Sequence, residues 1–319
     1  MILRITALLA LWVLALPAAP PIPVVLDTDI GDDIDDALAL SLALQSPELD
    51  VRAVVTVLQR GDTRADLAYK ILKLFNRTDI PVGIGAEQPL VAPGNNNVVR
   101  QTLALTPADA MPASARRNGI LLTIDTILKS PGKITWLAYG PATNLGIVLR
   151  AEPRVRDKIE RIVLMNGIFF KPGIEYNTVR DPEASRIVYE SGLPVVAVGL
   201  DVTMQCRLSA ADLDRIASSK LPSVQFLDKI IKIWQEGHAD RRPVLHDPLA
   251  IASTFRPGLI RGPKGRVIVE LRGEPKVTYG MTLFREDPDG PVQVVREVEA
   301  EEFVRLFMDR VVAAPRPAR

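Results

Sequence analysis

The feature that most constrains this chain is a crowd of carboxylates at the end of one strand. Val24-Val25-Leu26 is an apolar run of strand type that stops at Asp27. Six aspartates (Asp27, Asp29, Asp32, Asp33, Asp35 and Asp36) fall within ten residues around Gly31, and an apolar series of helical character follows from Ala37. The pattern is a strand, a tight turn and a helix N-terminus, all carrying acids. Carboxylates this close repel one another unless a cation sits among them, and hard cations such as Ca2+ and Mg2+ take carboxylate oxygens. The plainer alternative is a solvated turn in which Asp35 and Asp36 only favour the helix N-terminus. The position at the C-terminal end of a buried-type strand, where open α/β sheets place their ligands, points instead to a metal site.

The rest of the chain alternates between strand and helix patterns. Residues 37–44 are apolar nearly all round, as in a buried helix; 51–57 form a β-branched run; 62–75 carry Leu67, Ile71, Leu72 and Phe75 at helical spacing; 80–85 read as a third strand with a turn. Further helices are expected over 119–128, after the turn at 140–145, over 181–191 with Asp181 as N-cap, over 209–218 and 222–237, from 246, and over 300–312. Further strands are expected over 134–139, 161–165, 193–198, 266–271, 277–284 and 292–297. Such alternation argues one open, mostly parallel sheet flanked by helices. Residues 91–112 read as a long loop of the kind that often forms a lid, and 166–180 as a polar loop. No repeat or linker interrupts the pattern, so a single α/β domain over residues 21–319 is expected.

Composition limits the partners. The 319 residues are 47% hydrophobic and 24% charged, ordinary for a globular chain with a large core. A net charge of +1 gives no reason to expect nucleic acid or an anionic membrane. Cys206 is the only cysteine, which excludes an intramolecular disulfide and suits a small buried apolar role. No Cys-His cluster suggests zinc. Residues 1–20 carry Arg4, an apolar run over 5–16 too short to span a bilayer, and small residues at Pro17-Ala18-Ala19-Pro20. They are expected to be a signal peptide, which makes the mature chain exported, periplasmic or secreted, with no membrane attachment after cleavage.

Two familiar acidic patterns fit poorly. An EF-hand loop needs Gly at its sixth position and Glu at its twelfth; counted from Asp27 these are Asp32 and Leu38. The strand ending in Asp-x-Asp also resembles the nucleophile motif of haloacid-dehalogenase-like phosphatases, with Asp27 as nucleophile and Mg2+ bound. That motif usually carries Thr or Val where Gly31 stands, and it has no use for the Asp35-Asp36 pair. The stretch more closely resembles the signature of the inosine-uridine-preferring nucleoside hydrolases, which open with a strand, Asp-Thr-Asp-x-Gly and an Asp-Asp-Ala that starts a helix. Later stretches match that family in order: Tyr139-Gly140-Pro141-Ala142-Thr143-Asn144-Leu145, Ile162-Val163-Leu164-Met165, Glu175-Tyr176-Asn177, Asp181-Pro182-Glu183-Ala184, Val198-Gly199-Leu200-Asp201-Val202-Thr203, His246-Asp247-Pro248-Leu249-Ala250 and Gly280-Met281-Thr282. There are departures. Ile30 stands where many members have Pro, the turn is two residues longer, Asn166 replaces a Gly, the 167–175 loop is short, and Asp62 lies near where some members have a ribose-binding Asn.

The resemblance implies a Rossmann-like nucleoside hydrolase fold and hydrolysis of the N-glycosidic bond of ribonucleosides to ribose and free base, a salvage reaction. It implies one Ca2+ held by Asp29, Asp36, Asp247 and the main-chain carbonyl of Tyr139. Asp35, Glu175 and Asn177 would hold ribose hydroxyls. Asp29 would double as general base on a metal-bound water, and His246 would protonate the leaving base. It also implies a homo-oligomer, dimer or tetramer. The chemistry agrees. Cleavage develops oxocarbenium character on the sugar, clustered carboxylates stabilise that charge, a metal lowers the pKa of water, and polyol recognition needs Asp, Glu and Asn acceptors. Taken singly, Asp247 before Pro248 is a helix N-cap, His246 a partly buried histidine, and Glu175 and Asn177 plain loop residues; only the joint pattern assigns them. Asn144 is left outside the site as a residue bonding its own turn, and His238 as a surface residue. The rivals are the phosphatase just described and a non-catalytic nucleoside- or sugar-binding envelope protein on the same fold. Base preference and the roles of Asp32, Asp33 and Asp62 stay open.

Overall fold

The computed structural model describes residues 19–91, 98–238, 240–275 and 277–317. The expected signal peptide therefore lies almost wholly outside the described residues, as does the Pro93-to-Asn97 stretch of the long loop. In chain order the first half contains β1 (Ile22–Thr28), α1 (Asp35–Gln45), β2 (Leu49–Thr56), α2 (Gly61–Leu74), β3 (Val82–Ile84), β4 (Arg117–Asn118), α3 (Gly119–Lys129), β5 (Ile134–Ala138), α4 (Thr143–Ala151) and β6 (Ile159–Met165). The second half contains α5 (Tyr176–Arg180), α6 (Pro182–Tyr189), β7 (Val195–Val198), α7 (Leu200–Thr203), α8 (Ala210–Ala217), α9 (Pro222–Trp234), α10 (His246–Phe255), β8 (Ile260–Arg261), β9 (Lys264–Val269), β10 (Thr282–Glu286), β11 (Val292–Val294), β12 (Glu297–Val298) and α11 (Ala300–Val311).

Ten of these strands form one sheet in the order β10-β9-β11-β7-β6-β5-β1-β2-β3-β4. Every pairing from β4 across to β11 is parallel, and only β9 runs against its neighbours. The chain builds outward from β1 through β2 to β4, then returns to the other side of β1 with β5 and builds outward again. That reversal puts a crevice at the C-terminal ends of β1 and β5, where an open sheet of this kind binds ligands. Apolar cores lie on both faces. One joins Leu38 and Leu42 of α1 to Phe226, Leu249 and Phe303; the other packs Trp136, Ile162, Leu145 and Val188. Helix α1 is buried along its whole length, as its all-round apolar sequence demands.

Two expectations are corrected. The first part of the strand expected over 277–284 is a turn: the amides of Val277, Thr278 and Tyr279 all converge on the Glu274 carbonyl, and the strand begins only at Thr282. The polar 166–180 loop ends in the short helix α5, whose N-cap is Glu175. Asp181 caps α6 as expected, accepting from the Ala184 amide.

Candidate active site

Asp29 leaves β1 into a turn that only glycine completes. Gly31 has φ +119°, and a Cβ there would lie 2.1 Å from Val99 Cγ1. Across the crevice, Gly140 follows β5 so closely that a Cβ would sit 2.8 Å from the Asp29 amide and 3.0 Å from its Oδ1. The missing side chain at Gly140 lets Asp29 rest against the end of β5. Helices α1 and α10 pack together and aim their N-termini at the same place, with Asp35 and Asp36 in the first turn of one and Asp247 in the first turn of the other. Asp247 is thus inside α10, and not its N-cap, a position held by Leu245.

Asp35, Asp36 and Asp247 are all buried, and each presents an oxygen within 4.8 Å of the others. At that distance two full charges repel by roughly 3–4 kcal/mol at an effective dielectric near 20. A helix N-terminus offsets about 2 kcal/mol at most. The protein offers little else: Thr28 Oγ1 donates to Asp36 at 2.6 Å, and the Asp247 amide to Asp35 at 3.3 Å. Burial first, and then the charges of neighbouring aspartates (Asp33 for Asp35, Asp29 and Asp35 for Asp36, Asp35 and Asp36 for Asp247), hold all three carboxyls well above the usual carboxylate range. Asp29 is pushed up to about 7, by burial first, with Arg64 opposing and the charges of Asp32 and Glu175 adding to the rise. A hard cation among these oxygens removes the repulsion, and an all-oxygen donor set suits Ca2+ or Mg2+ better than zinc.

The cavity over this cluster has a volume of about 510 Å³ and is lined by Asp29, Asp32, Asp33, Asp35, Asp36, Tyr139, Glu175, Asn177, His246 and Asp247, with Met165, Ile174, Tyr176, Leu200, Trp234 and Arg241. Every residue singled out for the site in the sequence borders this one space. Glu175 is held by its own loop: Oε1 accepts from the Asn177 amide at 2.7 Å, and Oε2 from the Gly167 amide, the Thr178 amide and the Thr178 hydroxyl at 3.0, 2.8 and 2.9 Å. Asn177 Nδ2 donates to the Tyr139 carbonyl at 2.9 Å and the Met165 carbonyl at 3.0 Å, which leaves Oδ1 as its acceptor. His246 Nδ1 lies 2.7 Å from Thr203 Oγ1, and burial drops its pKa to about 4, so the ring is neutral at pH 7.

Residues whose roles the sequence leaves open, or leaves outside the site, fall both at the cavity's edge and away from it. Asp62 pairs with Arg116 on the surface. His238 does not border the cavity. Asp33 caps the Ile34 amide at 2.7 Å and sits 3.9 Å from Arg241, whose guanidinium stacks on Trp234. Asn144 does not bond its own turn; its side chain joins three strand ends by contacting Asp27 Oδ1, the Thr56 carbonyl and the Ala86 amide. Asp27, fully buried beneath it, has a carboxyl raised to about 7 by burial and does not border the cavity, so a phosphatase reading loses its nucleophile. The sequence reading missed Thr28 and Arg64. Arg64 was findable, because it lies on the apolar stripe of α2 with Leu67, Ala68 and Ile71, where a charged side chain demands buried partners.

Fold and site together define an α/β protein that gathers carboxylates at the switch point of a parallel sheet, around a cavity large enough for a small polar ligand. The model of the inosine-uridine preferring nucleoside hydrolase family matches residues 24–305, and the chain belongs to that family. It is 35% identical over 311 residues to the pyrimidine-specific ribonucleoside hydrolase RihA of Escherichia coli (strain ATCC 8739), covering 91% of this chain and 98% of that protein. Among solved structures, the plant nucleoside hydrolase PpNRh1 is similar with a TM-score of 0.81 and 28% identity, covering 92% of this chain and 100% of that one. A purine-preferring ribonucleoside hydrolase from Gardnerella vaginalis has a TM-score of 0.79 and 25% identity, covering 91% and 98%.

Proposed function

We propose that the protein is a Ca2+-dependent ribonucleoside hydrolase that releases ribose and free base. The observation that carries this reading is the crowding of three buried carboxylates, Asp35, Asp36 and Asp247, which line one cavity together with Asp29 and the sugar-type acceptors Glu175 and Asn177. Asp29, Asp36, Asp247 and the Tyr139 carbonyl hold the cation, which when bound lowers the pKa of a coordinated water. Asp29 takes the proton from the attacking water. Asp35 accepts from one ribose hydroxyl, while Glu175 Oε1 and Asn177 Oδ1 accept from others. The carboxylates facing the anomeric carbon stabilise its developing positive charge. His246 is neutral, so it serves the leaving base as an N–H donor. When the Thr203 hydroxyl donates to Nδ1, the ring's own proton sits on Nε2, where it hydrogen-bonds the nitrogen on which the leaving base gathers charge, and water completes the protonation of the released base.

The mature chain is exported after cleavage near residue 20 and works as a homo-oligomer. Intact-mass analysis of protein from the host envelope tests export; a full-length cytoplasmic product would sink it. The main experiment incubates the mature protein with purine and pyrimidine ribonucleosides in Ca2+ and assays reducing sugar. Tight riboside binding without sugar release would replace the enzyme reading with that of a nucleoside-binding protein.

A further inference from the structure

Arg64 is the one cation buried with the aspartate turn among the described residues, and its side chain is 0% exposed. Its donors all serve the turn and the loop beside it. Nη1 donates to the carbonyls of Asp29 and Ile30, the latter at 3.0 Å. Nη2 donates to Asp32 Oδ2 at 2.8 Å, and Nε to the Gln59 carbonyl at 2.9 Å. Burying a guanidinium costs several kcal/mol unless its partners are well placed, and here those partners are the peptides that carry Asp29. The connection between β2 and α2 is bent to suit. Leu58 and Arg60 both adopt left-handed backbone, at φ 70° and 64°, without being glycine. Such conformations cost about 1–2 kcal/mol each. Between them Gln59 turns its carbonyl onto the guanidinium.

We propose that Arg64 is a positioning residue for the cation site. Its planar fork clamps the 29–32 turn, so that Asp29 meets Asp36 and Asp247 in a ready-made arrangement. The inference rests on the reading of that site as a Ca2+ centre. It concerns the shape of the guanidinium as well as its charge: lysine supplies the charge as a point but cannot reach two carbonyls, a carboxylate and a third carbonyl at once.

The test is calorimetric titration of the chelator-treated protein with Ca2+ alone, for wild type, Arg64→Lys and Arg64→Met. Unfolding curves confirm that each variant is folded. Both variants are expected to bind Ca2+ about 10- to 100-fold more weakly than wild type, the usual effect of removing a group that orients metal ligands. At saturating Ca2+ kcat falls while KM for the nucleoside is little changed, because Glu175 and Asn177 are held by other loops. A residue that only fills the core would lower the melting temperature and leave Ca2+ affinity intact. If Arg64→Met does not fold, Arg64→Lys decides alone: wild-type affinity in that variant overturns the clamp. A wild type that binds no Ca2+ overturns the cation centre itself, and the clamp with it. A wild type that binds, matched by equal binding in the variants, overturns only the role of Arg64.

Discussion

Glu175 accepts four hydrogen bonds from its own loop, whereas among the described residues Asp35, Asp36 and Asp247 draw on one hydroxyl, the Asp247 amide and Asp35's own amide, and otherwise on one another. Both sets are buried, and burial raises the pKa of both. The difference is who satisfies the charge. Glu175 is complete within the protein and has one lone pair over for a sugar hydroxyl. The aspartates are incomplete, and only something from outside the chain makes their ionised forms stable. A buried carboxylate is therefore informative only together with its donor count: Glu175 is left with one acceptor for a hydroxyl, whereas the crowded aspartates call for a cation at Asp36 and Asp247, with Asp29 beside them, and leave Asp35 to a ribose hydroxyl.

The largest effect that separates the two sides comes from Asp36→Ala. Activity should fall by about three orders of magnitude or more, the kinetic equivalent of the several kcal/mol that a catalytic cation supplies. Bound Ca2+ should disappear from elemental analysis, and the stabilisation that Ca2+ gives wild type should vanish. One stoichiometric Ca2+ in the variant would break the comparison outright.

His246 stands on the aspartate side of the cavity but is satisfied by the protein, through Thr203. If it donates to the leaving base, His246→Ala should lose about 10²- to 10⁴-fold in kcat/KM on inosine or uridine. It should lose far less on p-nitrophenyl riboside, whose leaving group needs no proton, while Asp29→Asn should lose both. Equal losses at saturating Ca2+ would mean that His246 acts by orienting Asp247.

The sharpest contrast comes from Glu175→Gln. The amide can offer only one acceptor oxygen to four donors. Loss of the cap on α5 should cost about 1–3 kcal/mol, equally with and without Ca2+. KM should rise while Ca2+ affinity stays at the wild-type value. A loss of Ca2+ affinity comparable with that of Asp36→Ala would show the two sides to be one unit.

Much of this was readable from the chain, for reasons that also mark the limit. The strand ending at Asp27, the all-apolar α1 and the Asp-Pro start of α6 are local patterns whose physics lies within a few residues. The parallel sheet followed from their alternation. The convergence of Asp29, Asp36, Glu175, Asn177 and Asp247 needed the matching order of motifs, because no spacing in sequence places residues 29 and 247 together. What escaped was chemistry between elements. Asn144 bonding Asp27 bridges 117 positions, and Arg64 reaching back to Asp29 crosses 35. The run at 277–279 is made of strand-favouring β-branched and aromatic residues yet turns, because the Glu274 carbonyl gathers its amides. Composition does not record such capture.

Metal removal turns the comparison into a pH dependence. In metal-free protein the Asp35, Asp36 and Asp247 carboxyls, and Asp29 at about 7, titrate above their unfolded value of 3.8. The fold then binds more protons than the unfolded chain, so this contribution is full below about pH 4 and is lost as pH rises through the folded values. Stability in chelator should decline from pH 5 to 8. Saturating Ca2+ should flatten or reverse that slope, since binding needs the ionised acids. Parallel slopes with and without Ca2+ would remove the cation from the account.

The smallest effect supplies the control with the opposite sign. Asp109 lies away from the cavity, and Lys70 Nζ reaches its Oδ1 at 2.6 Å while the Thr106 amide and hydroxyl reach its Oδ2 at 2.9 and 2.8 Å. Burial works against the ionised form, but these donors win and hold the pKa at about 2. Here the unfolded chain binds the extra proton, so the stabilisation is full above about pH 4 and is lost as pH falls through about 2. The pair is near the surface, with Lys70 22% exposed. After screening by solvent its worth is about 1 kcal/mol, or about 2 °C in a domain of this size. Asp109→Asn should therefore lower Tm slightly at pH 7, and the deficit should be roughly halved at pH 3, with no dependence on Ca2+ at either pH. A deficit that grows on acidification would mean that Asp109, like the aspartates of the cavity, is held protonated by the fold, and that donor count does not decide how a buried acid behaves in this protein.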